Sequence, residues 1–318
     1  MLFDVESDFE FEGDLGVLEN FLIKQELYEA GDPAHEEIRS ELYIDGGGTR
    51  CTCSAGHGRS LEKNGVFEIM DAVYATSGGF PVALGAATGQ VQELRDVFWE
   101  YCSREEFFSR ERMFRKGQAM NIDGLTAHLR KKIKVVNMHQ SRMRLYGALT
   151  CAETGAGVVV DVKKSIDPLN DMRAAIAMPW FSHGNVEIGG KSFLDGAGAY
   201  PFLARLALHS NATDVLVLAN SPKGEGPNAF GGLAASMFLR SMPEKVRRVF
   251  ETQSQRYQES LAEFRKSQKF RKLILWMGKK IKNLGPFEQD SEKLKAASYA
   301  AEHFLDNLIA KCRLRKCA

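Results

Sequence analysis

No run of this 318-residue sequence approaches the roughly twenty apolar residues needed to cross a bilayer. Any membrane contact is therefore expected at a surface. Net charge is missing too. There are 42 Lys and Arg against 41 Asp and Glu, a formal +1, which removes the global field that draws proteins to nucleic acid. Cysteine is sparse, and its six copies (Cys51, Cys53, Cys102, Cys151, Cys312, Cys317) show no framework spacing. The opening MLFDVESDFEFEGD lacks the basic-then-apolar pattern of a signal peptide. Both features point to a reducing, cytoplasmic setting. Cys51, Cys53 and His57 lack a fourth ligand at suitable spacing, so no metal is expected.

What is there reads as an ordinary globular chain, 44% hydrophobic and 26% charged. Its charge is unevenly placed. Residues 1–41 hold 13 acids against 2 bases, and residues 241–318 hold 18 bases against 9 acids. The chain reads as an acidic N-terminal extension (1–40), a central domain (41–222) and a mostly helical C-terminal extension (223–318). Within the middle part, strand-like runs (41–44, 72–75, 144–150, 157–162, 214–218) alternate with helical ones, the signature of an α/β fold. Gly189-Gly190 marks a hairpin turn within 184–193. Residues 1–14 read as mobile, and 270–277 as an edge strand.

Three pieces carry chemistry. A strand over 41–44 runs into Asp45-Gly46-Gly47-Gly48-Thr49-Arg50, where the glycines let backbone N–H groups face an oxyanion or a phosphate. A second strand ends at Ala75-Thr76-Ser77-Gly78-Gly79 and passes directly into a helix. Such a turn exposes Ser77 above the sheet, at the positive end of the helix. A third turn, Asp195-Gly196-Ala197, follows the hairpin. Together these suit acyl transfer. The serine attacks an ester carbonyl, a carboxylate within roughly 2.6–3.2 Å takes its proton, and the glycine loop holds the oxyanion.

In this order the motifs resemble the patatin-like phospholipase family, and more closely its bacterial branch, with its DGGGxR-type loop, GxSxG elbow and DG[GA] turn. The segment 173–179 before the Asp turn, the stretch 107–125 and parts of the tail fit as well, so the resemblance covers about residues 40–310. It implies a three-layer α/β/α hydrolase fold with a mostly parallel central sheet and a helical C-terminal extension. It also implies a serine esterase that hydrolyses phospholipid or other acyl-ester lipids without a cofactor. Carried over by position, Ser77 would be the nucleophile and Asp195 the general base. Gly46, Gly47 and Gly48 would form the oxyanion hole, with Arg50 fixing it. Ala75 and Gly79 would bound the elbow, and Gly196 and Ala197 would complete the Asp turn. No histidine is needed, and His183 and His209 read as structural.

Two positions depart from that pattern. Ala75 stands where the family prefers glycine. CTCSAGHGRSLEKNG (51–65) is polar and broken, so the helix that normally backs the glycine loop is expected to be short or absent. These departures support an alternative, a catalytically weak patatin-fold protein that binds lipids or partners. A sugar-kinase-like phosphotransferase would need a second glycine-rich phosphate loop, which the sequence lacks. Residues 272–282 (KLILWMGKKIK) pair apolar and aromatic side chains with Lys279, Lys280 and Lys282. They read either as a peripheral contact for an anionic membrane or as a buried strand followed by a lysine turn.

Overall fold

The computed structural model describes residues 8–179, 181–182, 184–226, 240, 242–278, 281 and 283–316. His183, Lys279, Lys280 and Lys282 lie outside the described residues. The strands are β1 (Phe9–Gly13), β2 (Ser40–Ile44), β3 (Ala72–Ala75), β4 (Arg144–Cys151), β5 (Gly157–Asp161), β6 (Val186–Ile188), β7 (Lys191–Asp195), β8 (Asp214–Pro222) and β9 (Arg271–Met277). The helices are α1 (Gly16–Glu29), α2 (Thr52–Lys63), α3 (Val66–Ile69), α4 (Gly79–Thr88), α5 (Val91–Glu100), α6 (Arg110–Lys116), α7 (Ile122–Lys132), α8 (Val136–Gln140) and α9 (Pro168–Ala175). After them come α10 (Glu244–Glu251), α11 (Gln253–Lys266) and α12 (Ser291–Lys316).

One sheet runs in the order β1-β9-β8-β2-β3-β4-β7-β6, with β5 on the free edge of β4. Its centre, β9-β8-β2-β3-β4, is parallel, and antiparallel strands flank it on both sides. Successive residues of a strand point to opposite faces, and here each face has its own core. Leu42, Ile44, Leu216, Leu218, Leu273 and Leu275 meet the layer that holds α1, α2, α4, α5 and α12. Tyr43, Val215, Val217, Ile274 and Trp276 meet a 3₁₀ turn (Leu203–His209) and α11. The fold is a three-layer α/β/α with a mostly parallel central sheet, as the motifs implied. The Gly189-Gly190 turn closes the β6–β7 hairpin with both glycines at positive φ (58° and 76°).

Three local expectations are overturned. The 270–277 run is not the sheet's edge, because β1 pairs outside β9, from Phe9 opposite Met277 to Gly13 opposite Leu273. Residues 9–13 are therefore ordered. Their alternation of Phe and Glu is a strand's period of two, hidden by the acidity around it. Leu273, Ile274, Leu275 and Trp276 are all within 2% of complete burial, so the apolar half of the suspected membrane motif belongs to the core.

The largest correction concerns 51–65. Thr52–Lys63 is a regular helix with nine of its twelve residues buried, so the backing helix is present at full length. It reads as polar because it is squeezed. A Cβ on Gly56 would stand 2.0 Å from the Ser298 carbonyl oxygen of α12, a crossing only glycine permits. Its buried hydroxyls have partners. Thr52 Oγ1 donates to the Leu294 carbonyl (3.2 Å), Ser54 Oγ to Asn220 Oδ1 (2.7 Å) and Ser60 Oγ to Asp306 Oδ1 (2.6 Å). Small residues with satisfied hydroxyls can fill a tight layer as well as leucines do.

Candidate active site

The C-terminal ends of β2 and β3 lie side by side, with Ile44 in register with Ala75. Loops leaving that end of a parallel sheet form its crevice. The glycine loop leaves β2 and the Ser77 turn leaves β3. β4 acts as a ruler that brings in the third loop. Gly147 pairs with Ala75 on one edge and with Val160 on the other. Two residues on, Leu149 pairs with Val158 and with Asp195. β7 thus takes over the edge that β3 vacates, and this sets Asp195 beside the serine turn. Ala75 itself is fully buried in this ladder. Its neighbour across the ladder is Gly147, and Phe80 fills the space where a Gly147 Cβ would stand.

Ser77 has φ +51°, the only non-glycine positive φ among the described residues. Strain of this kind marks residues that their surroundings over-determine. Its N–H is tied to the Ala175 carbonyl (3.2 Å) at the end of α9, and its carbonyl accepts from Phe80 (2.9 Å) as α4 begins. Gly46 lies against it, so close that a Cβ there would approach the Ser77 Cβ to 2.7 Å. A Cβ on Gly79 would come within 2.8 Å of the Ile44 and Asp45 carbonyls. Elbow and glycine loop therefore pack backbone to backbone.

The loop is held from outside. Asn220 Nδ2 donates to the Asp45 carbonyl (2.7 Å), and the Cys51 thiol points at the same oxygen (3.7 Å). Thr49 N–H donates to the Pro286 carbonyl (2.9 Å). Arg50 lines the cleft with its Nε unpartnered, while the loop's described anchors are Asn220 and Pro286. Among the described residues, the N–H groups of Gly46, Gly47, Gly48 and Gly78 find no protein acceptor. The N-termini of α2 and α4 stand directly behind these groups, adding positive potential.

Asp195 is 1% exposed. Its Oδ1 accepts the Ala197 N–H at 2.8 Å, and its Oδ2 has no hydrogen bond of full geometry. Burial pushes this carboxyl up to about 6; the Ala197 N–H and then the Ser77 hydroxyl pull the other way. The turn is braced by Thr150 Oγ1, which donates to the Asp195 carbonyl (2.7 Å), by Gln253 Nε2 on the Ala197 carbonyl (2.8 Å), and by Arg256 on the Gly198 and Ala199 carbonyls. Gly196 touches Thr76 and the Ala148 carbonyl. A second buried carboxyl, Asp45, faces the same cleft. Burial pushes it up to about 7, opposed by the Leu203 N–H on its Oδ1 (3.0 Å).

The structure thus gathers Ser77, Asp195, Gly46, Gly47, Gly48 and Arg50 around one cleft. His209 is exposed at the end of the 3₁₀ turn and lines neither the Ser77 cleft nor its apolar neighbour. Sequence reasoning missed Asn220, Gln253, Met178 and the Pro286-Phe287 strap, all of which line the cleft. Only Asn220 left a trace, as a polar residue ending an otherwise apolar strand.

No family model matches the chain, and no curated protein matches it. Solved structures do. VipD from Legionella pneumophila aligns at 9% identity and a TM-score of 0.39, over 86% of this chain and 67% of that one. Type III effector protein ExoU aligns at 11% identity and a TM-score of 0.32, over 88% and 62%. Full-length ExoU with full-length SpcU, from the type III secretion system of Pseudomonas aeruginosa, aligns at 10% identity and a TM-score of 0.30, over 86% and 60%. The chain therefore spans about two thirds of the first and three fifths of the others.

Proposed function

We propose that this chain is a serine acyl hydrolase of patatin-like type, acting on phospholipid or other acyl-ester lipids through a Ser77–Asp195 dyad. One observation carries the reading. A serine held at positive φ has its hydroxyl beside a buried carboxyl, both lining one cleft. An elbow serine needs such a base, and the base needs such a proton donor.

Ser77 Oγ attacks the ester carbonyl as its proton passes to the Asp195 carboxylate. Negative charge moves onto the carbonyl oxygen, where the N–H groups of the glycine loop and Gly78 receive it. The intermediate collapses, the alcohol leaves with the proton from Asp195, and an acyl-Ser77 remains. Water, deprotonated by Asp195, attacks in turn and releases the fatty acid. The base works in its ionised form, so the rate rises with pH through about 6, where the carboxyl titrates. Each oxyanion donor is worth about 2.7–4 kcal/mol of barrier. The alternative of a catalytically weak lipid binder rested on Ala75 and on a short or absent backing helix, and the full-length α2 speaks against the second of these.

Hydrolysis of p-nitrophenyl acyl esters tests the reading. Ser77→Ala abolishes turnover, Asp195→Asn lowers it by about 10²–10⁴, and a fluorophosphonate labels Ser77 in the unaltered chain. Full activity in pure Ser77→Ala overturns it. Among the described residues no helix is long and apolar enough to cross a membrane.

A further inference from the structure

Two clefts meet at Ser77, sharing Gly48, Ser77, Met178, Pro286 and Phe287 as common walls. They differ in chemistry. The first holds Asp45, Arg50, Asn220, Ser221 and Gln253. The second runs from Ser77 past Pro81 to Leu94, Phe98, Cys102, Phe107, Met120 and Leu125, with no charged side chain on its walls. Cys102 is 5% exposed, and burial pushes its thiol up to about 12, so it serves as an apolar wall. This slot is narrow, about 40 Å³ as it stands. Phe287 closes its mouth, stacked on Phe108 (centroids 4.7 Å apart, planes at 12°) and packed on Phe181 (4.8 Å).

An ester bound with its carbonyl at Ser77 sends its acyl part to one side and its alcohol part to the other. An alkyl chain laid in the first cleft would strip water from two carboxyls and a guanidinium without replacing their hydrogen bonds. Laid in the second, it meets mostly carbon and sulfur, with Thr49 the one polar side chain besides Ser77. Of the two clefts that meet at Ser77 among the described residues, this is the apolar one. Resting on the Ser77 hydrolase reading, we propose that the substrates are single-chain acyl esters with a polar alcohol part, whose acyl chain fills the slot between Ser77 and Leu125 once Phe287 swings aside. A diacyl lipid would leave its second chain in the polar cleft or in water.

The test uses the full chain and alkyl fluorophosphonates of short, medium and long chain. The Ser77 oxygen displaces fluoride from phosphorus, and the rate is read as mass added to the intact protein. Labelling speeds up by roughly fourfold for each methylene buried in the slot, until the chain reaches its floor. Cys102→Trp fills the floor and shifts the optimum to shorter chains; Met120→Ala opens it and shifts the optimum to longer ones. If Cys102→Trp fails to fold, the Met120→Ala profile decides. In matched detergent micelles, lysophosphatidylcholine is hydrolysed at least about tenfold faster than phosphatidylcholine of the same acyl chain. The inference is overturned by labelling of Ser77 at a rate indifferent to chain length, by an unmoved optimum in folded Met120→Ala, or by equal rates on the two lipids. Absence of labelling by every probe is a different result, which sinks the hydrolase reading itself.

Discussion

Two helices start at the site, and they are built from opposite materials. α4 (GFPVALGAAT) follows Ser77; all ten of its residues are buried, and nearly all are apolar. α2 (TCSAGHGRSLEK) follows the glycine loop and buries nine of twelve residues, yet it is largely hydroxyls, glycines and one histidine. Both present an N-terminus to the same crevice. α4 is held by hydrophobic burial in the main core. α2 is wedged between β8 and α12, where only small side chains leave room, and its hydroxyls bond to both neighbours. Burial in a tight layer selects for size first and polarity second, provided each polar group is paired.

The comparison breaks first at Gly56. Gly56→Leu drives a side chain into the α12 backbone and is expected to cost more than about 3 kcal/mol, read as a loss of folded protein or a steep fall in urea midpoint. An unchanged midpoint would mean the two helices do not cross so closely. Next comes Asp195→Asn, which removes the proposed base beside Ser77. Turnover falls by about 10²–10⁴, while stability near pH 8 rises. The sign follows from the raised carboxyl: its folded form favours the proton, so its contribution is full below the unfolded value near 3.8 and is lost as pH rises through about 6. A melting temperature that drops in Asp195→Asn contradicts this.

Asn220→Ala acts on the α2 side alone. It strands the Asp45 carbonyl and the Ser54 hydroxyl, at about 1–3 kcal/mol of stability. It should slow turnover more than it weakens substrate binding, because it loosens the glycine loop and leaves the acyl slot intact. An equal effect on both parameters would count against the loop's role. The smallest effect sits deepest in α2. His57 is 2% exposed, with its Nε2 unpartnered, and burial pushes it down to about 3 from an ordinary 6.5. Its stabilising contribution is full above 6.5 and is lost as pH falls from there toward 3, amounting to at most about 2 kcal/mol by pH 5. His57→Phe, packed between Phe9 and Phe304, should flatten that acid slope in a series of urea titrations.

The same contrast explains what was legible. β2, β3, β8 and α4 announce themselves through apolar runs, and the three motifs through glycine at turns. α2 did not, because its pattern reflects steric thickness, which depends on a helix some 240 residues away. β1 was masked by its glutamates and by Phe11, which is 41% exposed although Phe9, two residues before it, is buried. The approach of Asp195 to Ser77 depends on two strands sharing one edge of β4, a register that no local pattern encodes. Asn220 and Phe287 matter only for where they arrive.

The Thr52–Leu294 hydrogen bond joins residues 242 positions apart, and it has a consequence for biosynthesis. A ribosome delivers the glycine loop well before α12. Until α12 docks, α2 has one bare flank and lacks the Thr52–Leu294 tie at its N-terminus. Contacts of such long sequence separation form late and slowly. A nascent chain would thus carry its serine turn with the proposed oxyanion side incompletely braced until α12 settles.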